Sequence, residues 1–176
     1  MKNEAVWLDG EVVRAEDVAE GVRRLEFAAA IPFPTYDPGS HVQFRVGIGG
    51  GQTTRSYSCL PDAAPGHVAV AVKLHPNSRG GSRFMFSLRP GDKLRLTTPD
   101  NRFELSWRAP RYLLMAGGIG ITPIYGMALA LAAKGAAPRL AYGGASLDAM
   151  PFIAPLRTAL GDDLLLFPQD QGAMID

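Results

Sequence analysis

The segment Arg55-Ser56-Tyr57-Ser58 combines a permanent cation, an aromatic ring and two hydroxyl groups. In an extended strand alternate side chains share a face, so Arg55 would lie beside Tyr57. Arginine can hold a phosphate through two parallel hydrogen bonds, and a tyrosine ring can lie against a flat aromatic ligand. The segment therefore predicts a site for a flat, phosphorylated ligand. The alternative interpretation is an edge strand with a solvated arginine and a half-buried tyrosine.

A second anion-binding candidate lies downstream, where Gly80 and Gly81 precede Ser82 and the apolar run 83–88. This pattern predicts a short helix with Ser82 as its N-cap. Glycines permit close backbone approach, and the free N–H groups at a helix start attract an anion. The region is also basic, since Lys73 begins a series of six lysines and arginines that ends at residue 95. These features predict a phosphate site, or alternatively a capped helix beside a solvated basic surface.

A third candidate is the glycine-rich turn that follows an apolar run and contains Gly117, Gly118 and Gly120. Thr122 and Pro123 then predict a helix start, with threonine as N-cap and proline at the first helical position. The turn is not the G-x-G-x-x-G dinucleotide fingerprint, because Pro123 occupies the position of the last glycine. It still places bare backbone and a helix start at the carboxyl end of a strand, where such sheets bind ligands.

The elements that would position these candidates differ between the two parts of the chain. Residues 5–98 consist mostly of short extended segments, in which apolar side chains recur at every second position, as at Val42, Phe44 and Val46. Proline-glycine turns separate these segments. Six or so strands at this spacing predict a closed or nearly closed antiparallel barrel.

Strand and helix patterns alternate in the second part, after a connector rich in proline and charge. Such alternation predicts a parallel sheet of the nucleotide-binding kind. The predicted fold class is therefore β plus α/β, with a six-stranded antiparallel barrel at residues 1–104 and a parallel α/β domain at residues 105–176. The predicted elements of the second domain are strands at 113–116, 139–142 and 164–167 and helices at 122–134 and 150–160.

Composition argues against several classes of protein. The chain has 176 residues, 47% of them hydrophobic, and its formal net charge of +1 gives no reason to expect nucleic acid binding. Cys59 is the only cysteine, so a four-cysteine iron–sulfur cluster cannot form, and the scattered histidines predict no metal site. The uncharged stretch 112–133 could span a bilayer, but its glycines and proline favour a strand, a turn and a helix. A cytoplasmic location is expected.

Together the motifs resemble the ferredoxin reductase superfamily, and in particular its phthalate dioxygenase reductase type, such as vanillate demethylase reductase. Their order and spacing match from the N-terminus through about residue 153. In this type the flavin is usually FMN. The matching sequences are Tyr36-Asp37-Pro38-Gly39-Ser40-His41-Val42, Arg55-Ser56-Tyr57-Ser58, Arg79-Gly80-Gly81-Ser82-Arg83-Phe84-Met85 and Met115-Ala116-Gly117-Gly118-Ile119-Gly120-Ile121-Thr122-Pro123-Ile124.

The resemblance implies a role for each candidate residue. Arg55 and Ser82, with the backbone amides of the two glycines before Ser82, would hold the flavin phosphate. Tyr57 would cover the isoalloxazine face, and Ser58 would hydrogen-bond near its reactive nitrogen. Thr122 and the glycine turn would receive the nicotinamide nucleotide. The implied catalytic residues are thus Ser58 and Thr122, and the implied cofactor-binding residues are Arg55, Ser56, Tyr57, Ser58, Lys73, Gly80, Gly81, Ser82, Gly117, Gly118, Gly120 and Thr122.

The implied function is to pass electrons from NAD(P)H through FMN to an iron–sulfur acceptor of an oxygenase system. FMN is favoured over FAD because of Gly80, Gly81 and Ser82 and because no adenine-binding insertion is evident. NADH is favoured over NADPH, since the family stretch that corresponds to residues 142–146 often carries an arginine where this chain has Ala145. The implied partner is an iron–sulfur protein or the oxygenase component.

The chain departs from the family pattern in its second part. Family members continue with further strands, one of which ends in a Cys-Gly-Pro turn that faces the nicotinamide, and this type usually appends a [2Fe–2S] domain. This sequence carries neither, which predicts an incomplete nucleotide-binding domain in a chain that is truncated or completed by a partner. An open sheet edge would allow self-association. The alternative function is a non-catalytic or incomplete flavin-binding scaffold.

Overall fold

The computed structural model describes residues 5–173, and the first part of the chain forms an antiparallel barrel. Its strands are β1 (Trp7–Ala19), β2 (Val22–Ala29), β3 (Ser40–Ile48), β4 (Gly51–Ser58), β5 (Val68–Lys73), β6 (Lys93–Thr97) and β7 (Asp100–Asn101). They hydrogen-bond in the order β4-β3-β6-β1-β2-β5, with the short β7 beside β3. An isolated bridge between Cys59 and Val70, just beyond β4, joins the two ends of this order. The predicted six-stranded barrel is therefore confirmed.

Alternate apolar side chains fill the barrel, as the period of two predicts. On β3, Val42, Phe44 and Val46 are fully buried, and Phe27 of β2 packs on Phe44 with ring centroids 4.8 Å apart. A short helix, α1 (Gly81–Ser87), closes the barrel through Met85, which is also fully buried. Because β4 pairs with β3 along its whole length, this core gives β4 a rigid support.

The second part is a three-stranded parallel sheet with two helices, as predicted. Its elements are β8 (Leu113–Gly117), α2 (Ile121–Ala133), β9 (Arg139–Gly144), α3 (Ile153–Leu160) and β10 (Leu164–Pro168). The strands lie in the order β10-β9-β8, so both crossovers run in the same direction. Because such crossovers are right-handed, α2 and α3 lie on one face of the sheet, packed against each other.

The other face of this parallel sheet carries exposed apolar side chains. Leu113 and Met115 of β8 are 66% and 55% exposed, and Leu165 of β10 is 39% exposed. Within the described residues, β8 and β10 each pair on one side only. The sheet thus has one face buried beneath its helices and one apolar face open to solvent.

The start of α1 differs from the prediction. The helix begins at Gly81, and its N-cap is Gly80, which adopts a left-handed conformation with φ of 106°. The predicted N-cap role of Ser82 is therefore wrong. Its hydroxyl instead accepts a hydrogen bond from the backbone N–H of His75 at 3.4 Å, which ties the start of α1 to the loop after β5.

The start of α2 also lies earlier than predicted. A 3-10 turn at Gly118–Gly120 runs directly into the helix, which begins at Ile121. The predicted N-cap role of Thr122 is wrong, because Thr122 is the second helical residue and its hydroxyl donates to Ile119 O at 3.0 Å. No helix in the part of the chain that the structure describes is long and apolar enough to cross a membrane.

Helix α3 starts three residues later than its sequence pattern indicates. Phe152 precedes it with a φ of 66°, a left-handed conformation that is unusual for an aromatic residue. Its ring stacks on Tyr125 of α2, with centroids 4.5 Å apart and planes 3° from parallel. The stack connects α2 to the start of α3, and it occurs together with the left-handed backbone conformation of Phe152.

Gly126 lies inside α2, where glycine costs about 0.5–1 kcal/mol relative to alanine. A Cβ there would meet Pro38 Cβ at 3.6 Å and Pro61 Cβ at 3.9 Å, which are ordinary contacts. We expect Gly126→Ala to raise the free energy of unfolding by up to about 1 kcal/mol in urea denaturation. The contrasting variant Gly144→Ala would clash with Met150 and should lower it by about 1–3 kcal/mol. A less stable Gly126→Ala would contradict this account of how α2 packs on the barrel.

Candidate functional site

A cavity of about 590 Å³ lies where the barrel meets the start of α2. Its walls are β4, the end of β5 with the loop that follows, the start of α1 and the start of α2. The three motifs singled out in the sequence therefore meet in one place. Of the predicted site residues, the cavity is lined by Arg55, Ser56, Tyr57, Ser58, Lys73, Gly81, Ser82, Gly120 and Thr122.

Three predicted site residues, all glycines, do not line this cavity. Gly80 packs against the hairpin between β3 and β4, where a Cβ would stand 2.7 Å from Ile48 Cγ2. Gly117 ends β8, and Gly118 follows it with a left-handed φ of 50°. These glycines shape the turns that carry the cavity walls, and their assignment to cofactor binding stays a prediction.

Arg55 is partly buried on β4, and neighbouring groups hold its guanidinium. Its Nη1 donates to Thr53 Oγ1 at 3.1 Å and to Thr54 O at 2.9 Å. Gly81 at the start of α1 lies against the same side chain, since a Cβ on Gly81 would stand 2.9 Å from Arg55 Nε. Among the described residues, Nε and Nη2 of Arg55 donate to no protein group, so they are available to a ligand.

The ring of Tyr57 is held by the barrel core. It packs edge-on against Phe44, with centroids 5.8 Å apart and planes 68° from parallel. Burial raises the pKa of the Tyr57 hydroxyl above its ordinary value, so the ring is neutral at physiological pH. A neutral, partly buried ring on a fixed support can cover the face of a flat aromatic ligand.

The cavity lining is strongly cationic. It includes Arg55, Lys73 and Arg79, and within residues 5–173 no aspartate or glutamate lines the cavity. Hydrogen bonds from cationic donors to phosphate oxygens are among the stronger ones in proteins, whereas an unpaired carboxylate would repel the phosphate. The set of donors in the wall therefore fits a phosphorylated ligand, and the lack of a side chain at Gly81 leaves room for the side chain of Arg55.

The start of α2 forms the opposite wall, with Ile119, Gly120, Thr122 and Pro123. Thr122 is 7% exposed, and its hydroxyl proton is directed to Ile119 O. The oxygen of this hydroxyl is left as an acceptor, so Thr122 suits a ligand that presents an N–H donor.

Sequence reasoning missed three polar residues of the cavity wall, in the loop between β5 and α1. The residues are His75, Asn77 and Ser78, and the wall also includes Arg79, which the sequence placed in the basic series and in a matching motif but not among the site residues. The Ser78 hydroxyl accepts a hydrogen bond from the Gly80 N–H at 3.1 Å and so braces the turn before α1. Their place in the sequence was the available signal, since they lie between Lys73 and Gly80, two residues already assigned to the site.

The family model of the oxidoreductase FAD-binding domain matches residues 9–105, which is more than half of the chain. The chain belongs to this family. The match includes α1 and every barrel strand except the first two residues of β1, so the cationic wall of the cavity is part of an FAD-binding-type domain. The predicted membership of the ferredoxin reductase superfamily, among phthalate dioxygenase reductase-like proteins, is confirmed.

Relatives of this oxidoreductase FAD-binding domain protein match both of its parts. It is 37% identical over 162 residues to the heme-dependent oxidative N-demethylase beta subunit of Ectopseudomonas mendocina, covering 89% of this chain and 51% of that protein. It is 37% identical over 159 residues to vanillate O-demethylase oxidoreductase of a Pseudomonas species, covering 88% and 49%. The chain thus spans about half the length of these relatives.

A solved structure shows the same arrangement of barrel and parallel sheet. It is phthalate dioxygenase reductase, described as a modular structure for electron transfer from pyridine nucleotides to [2Fe–2S]. The two chains superpose with a TM-score of 0.82 at 29% identity, over 92% of this chain and 51% of the reductase. The two-part fold described above is therefore shared with a family member.

Proposed function

We propose that this chain is the flavin-binding part of an NAD(P)H-dependent reductase that serves an oxygenase system. The observation that carries the proposal is the cavity, in which a cationic clamp and an aromatic ring from the barrel face the start of α2. The names of the relatives, vanillate O-demethylase oxidoreductase and phthalate dioxygenase reductase, support the same class of reaction.

The proposed resident cofactor is FMN, with FAD as the less favoured flavin. Arg55 would bind the phosphate, supported by Lys73, the Ser82 hydroxyl and the backbone at Gly81, all of which line the cavity. The flavin, when bound, supplies the exchange between a two-electron hydride donor and single-electron acceptors. FMN is favoured because of Gly80, Gly81 and Ser82 at the start of α1 and because no adenine-binding insertion is evident in the sequence.

The remaining residues would orient the reactants and keep water away. Tyr57 would cover one face of the flavin ring, and the hydroxyl of Ser58 would hydrogen-bond near the reactive nitrogen. Thr122 would accept a hydrogen bond from the carboxamide N–H of a nicotinamide, since its own proton is directed to Ile119 O. Holding two reactants in a fixed orientation is a large part of what a protein contributes to hydride transfer.

NADH is the proposed electron donor, and an iron–sulfur protein or oxygenase component is the proposed acceptor. The preference for NADH rests on Ala145, which immediately follows β9 in the parallel sheet and carries no cation for a 2′-phosphate. A tenfold or greater preference for NADH over NADPH is expected in the rate of flavin reduction.

The proposed function is tested with the purified chain and added flavins. We expect FMN to bind more tightly than FAD, and NADH to bleach the visible absorbance of bound FMN without oxygen. A chain that binds neither flavin would contradict the proposal. Flavin binding without bleaching would favour the scaffold alternative, which the exposed apolar face at Leu113, Met115 and Leu165 also supports.

A further inference from the structure

We propose that Thr53 and Gly81 are positioning residues that direct one particular edge of the Arg55 guanidinium toward a phosphate. The inference rests on the proposed function, in which Arg55 binds the phosphate of FMN. Arginine has a long, flexible side chain, which loses conformational entropy when it becomes fixed on binding a ligand. Contacts that already hold Arg55 in place reduce this loss.

The hydrogen bonds of Arg55 leave one side of the guanidinium free. A guanidinium can bind an oxyanion through its Nη1–Nη2 end or through its Nε–Nη2 side. In Arg55, Nη1 is already bonded to Thr53 Oγ1 at 3.1 Å and to Thr54 O at 2.9 Å. The Nε–Nη2 side is therefore the edge that can make two parallel hydrogen bonds to a phosphate.

Gly81 keeps this edge accessible. A Cβ at Gly81 would stand 2.9 Å from Arg55 Nε and 3.4 Å from both Cγ and Cδ. Unlike Gly80, Gly81 does not have a positive φ, so the need for glycine here is steric and not conformational. An alanine should therefore leave the backbone of α1 unchanged, while its methyl group displaces the arginine side chain and covers Nε.

Thr53 supplies the side-chain oxygen that accepts a hydrogen bond from Nη1 of Arg55. It lies two residues before Arg55 on β4, so the two side chains share one face of the strand. The other acceptor, Thr54 O, is a backbone atom and persists in any variant. Thr53→Val removes the hydroxyl acceptor but keeps the branched shape that suits a strand, whereas Thr53→Ser keeps the acceptor.

Equilibrium titrations of the full chain with FMN and with riboflavin, which lacks the phosphate, test the proposal. We expect Thr53→Val and Gly81→Ala each to weaken FMN binding about fivefold, the loss expected for one oriented hydrogen bond, with riboflavin binding unchanged. Thr53→Ser should restore FMN affinity. Thr54→Val is the matched control, because the Thr54 side chain lies on the opposite face of β4 and only its backbone oxygen contacts Arg55.

The outcomes separate this inference from the function on which it rests. If Thr53→Val and Gly81→Ala bind FMN as the parent chain does, while Arg55→Ala loses the preference for FMN over riboflavin, the positioning role is wrong and the proposed function stands. Equal weakening of FMN and riboflavin, or a lowered melting temperature of the flavin-free variants, would also overturn it. A parent chain that binds FMN no better than riboflavin would overturn the phosphate site itself.

Discussion

Arg55→Ala is expected to weaken FMN binding about 10- to 150-fold while leaving riboflavin binding unchanged. Hydrogen bonds to charged groups contribute about 1.5–3 kcal/mol, and about 1.4 kcal/mol corresponds to tenfold in a dissociation constant. The effect should be confined to FMN because only its phosphate would contact Arg55. Quenching of flavin fluorescence on binding gives both dissociation constants under the same conditions.

Two further arginine variants separate charge from geometry. Arg55→Lys keeps the charge but loses the planar fork, so its FMN affinity should lie between those of the parent chain and the alanine variant. Arg45→Ala removes the same charge from the neighbouring strand β3, where the guanidinium lies 4.8 Å from the ring centroid of Trp7, and should not change FMN binding. Unchanged FMN binding in Arg55→Ala would remove this residue from the phosphate site.

The barrel was predictable because its pattern is local. Val42, Phe44 and Val46 alternate with polar residues, and this alternation requires one buried and one open face whatever strand lies alongside. The parallel sheet was predictable for a similar reason, since short apolar runs alternate with helical segments ended by residues such as Gly135. The order of the strands is not contained in such patterns, and it became known only from the structure.

The helix starts were not predictable from capping residues alone. Ser82 and Thr122 each precede an apolar run and have the side chains that N-caps favour. In the structure the preceding glycines take part in the turn themselves, with Gly80 left-handed and Gly118 entering a 3-10 turn, so each helix begins before the polar residue. At both helix starts, the conformational freedom of glycine therefore has more effect than the preference of Ser82 and Thr122 for the N-cap position.

The cavity was predicted only in part. Arg55 and Tyr57 were identified because charge and aromaticity at a spacing of two are visible in the sequence. His75, Asn77 and Ser78 were not, because their loop gains its position from distant contacts that the sequence does not display, such as Gly80 against Ile48.

The alternation of polar and apolar residues also predicts the wrong burial for two charged side chains of β2. Arg24 and Glu26 alternate with Leu25 and Phe27, so the pattern predicts that their charged side chains face solvent. Both are instead buried, at 3% and 5% exposure, because the segment after β4 folds across that face of the barrel. Such a covering segment is remote in sequence and carries no periodic signal.

Every polar atom of the Glu26 carboxylate is engaged. Its Oε2 accepts from Arg24 Nη1 at 2.9 Å, and its Oε1 lies 3.0 Å from the Ala64 N–H and 2.9 Å from His67 Nδ1. Arg24 in turn donates to the backbone oxygen of Asp62 at 2.9 Å. The carboxylate therefore fastens the segment from residue 60 to residue 67, which also carries Pro61 against α2, to the outside of the barrel.

Glu26→Ala is expected to lower the free energy of unfolding by about 3 kcal/mol, the lower end of the cost of breaking a buried ion pair, because Arg24 loses its shortest carboxylate contact but keeps Asp62 and Glu16 nearby. Glu26→Gln keeps the shape and one acceptor oxygen and should cost less. Glu11→Ala, which removes an exposed carboxylate from β1, is the matched control and should change stability by no more than about 0.5 kcal/mol. Urea denaturation at neutral pH measures all three.

The same carboxylate should make stability depend on pH. Burial alone would raise the pKa of Glu26, but hydrogen bonds from the Ala64 N–H, His67 and Arg24 outweigh it and hold the pKa below its ordinary value. Because the folded pKa is the lower one, the contribution is complete above the unfolded value of about 4.3 and is lost as pH falls through the folded pKa. The unfolding free energy of Glu26→Gln should therefore fall less steeply in acid than that of the parent chain, and parallel profiles would show that this carboxylate is not the group responsible.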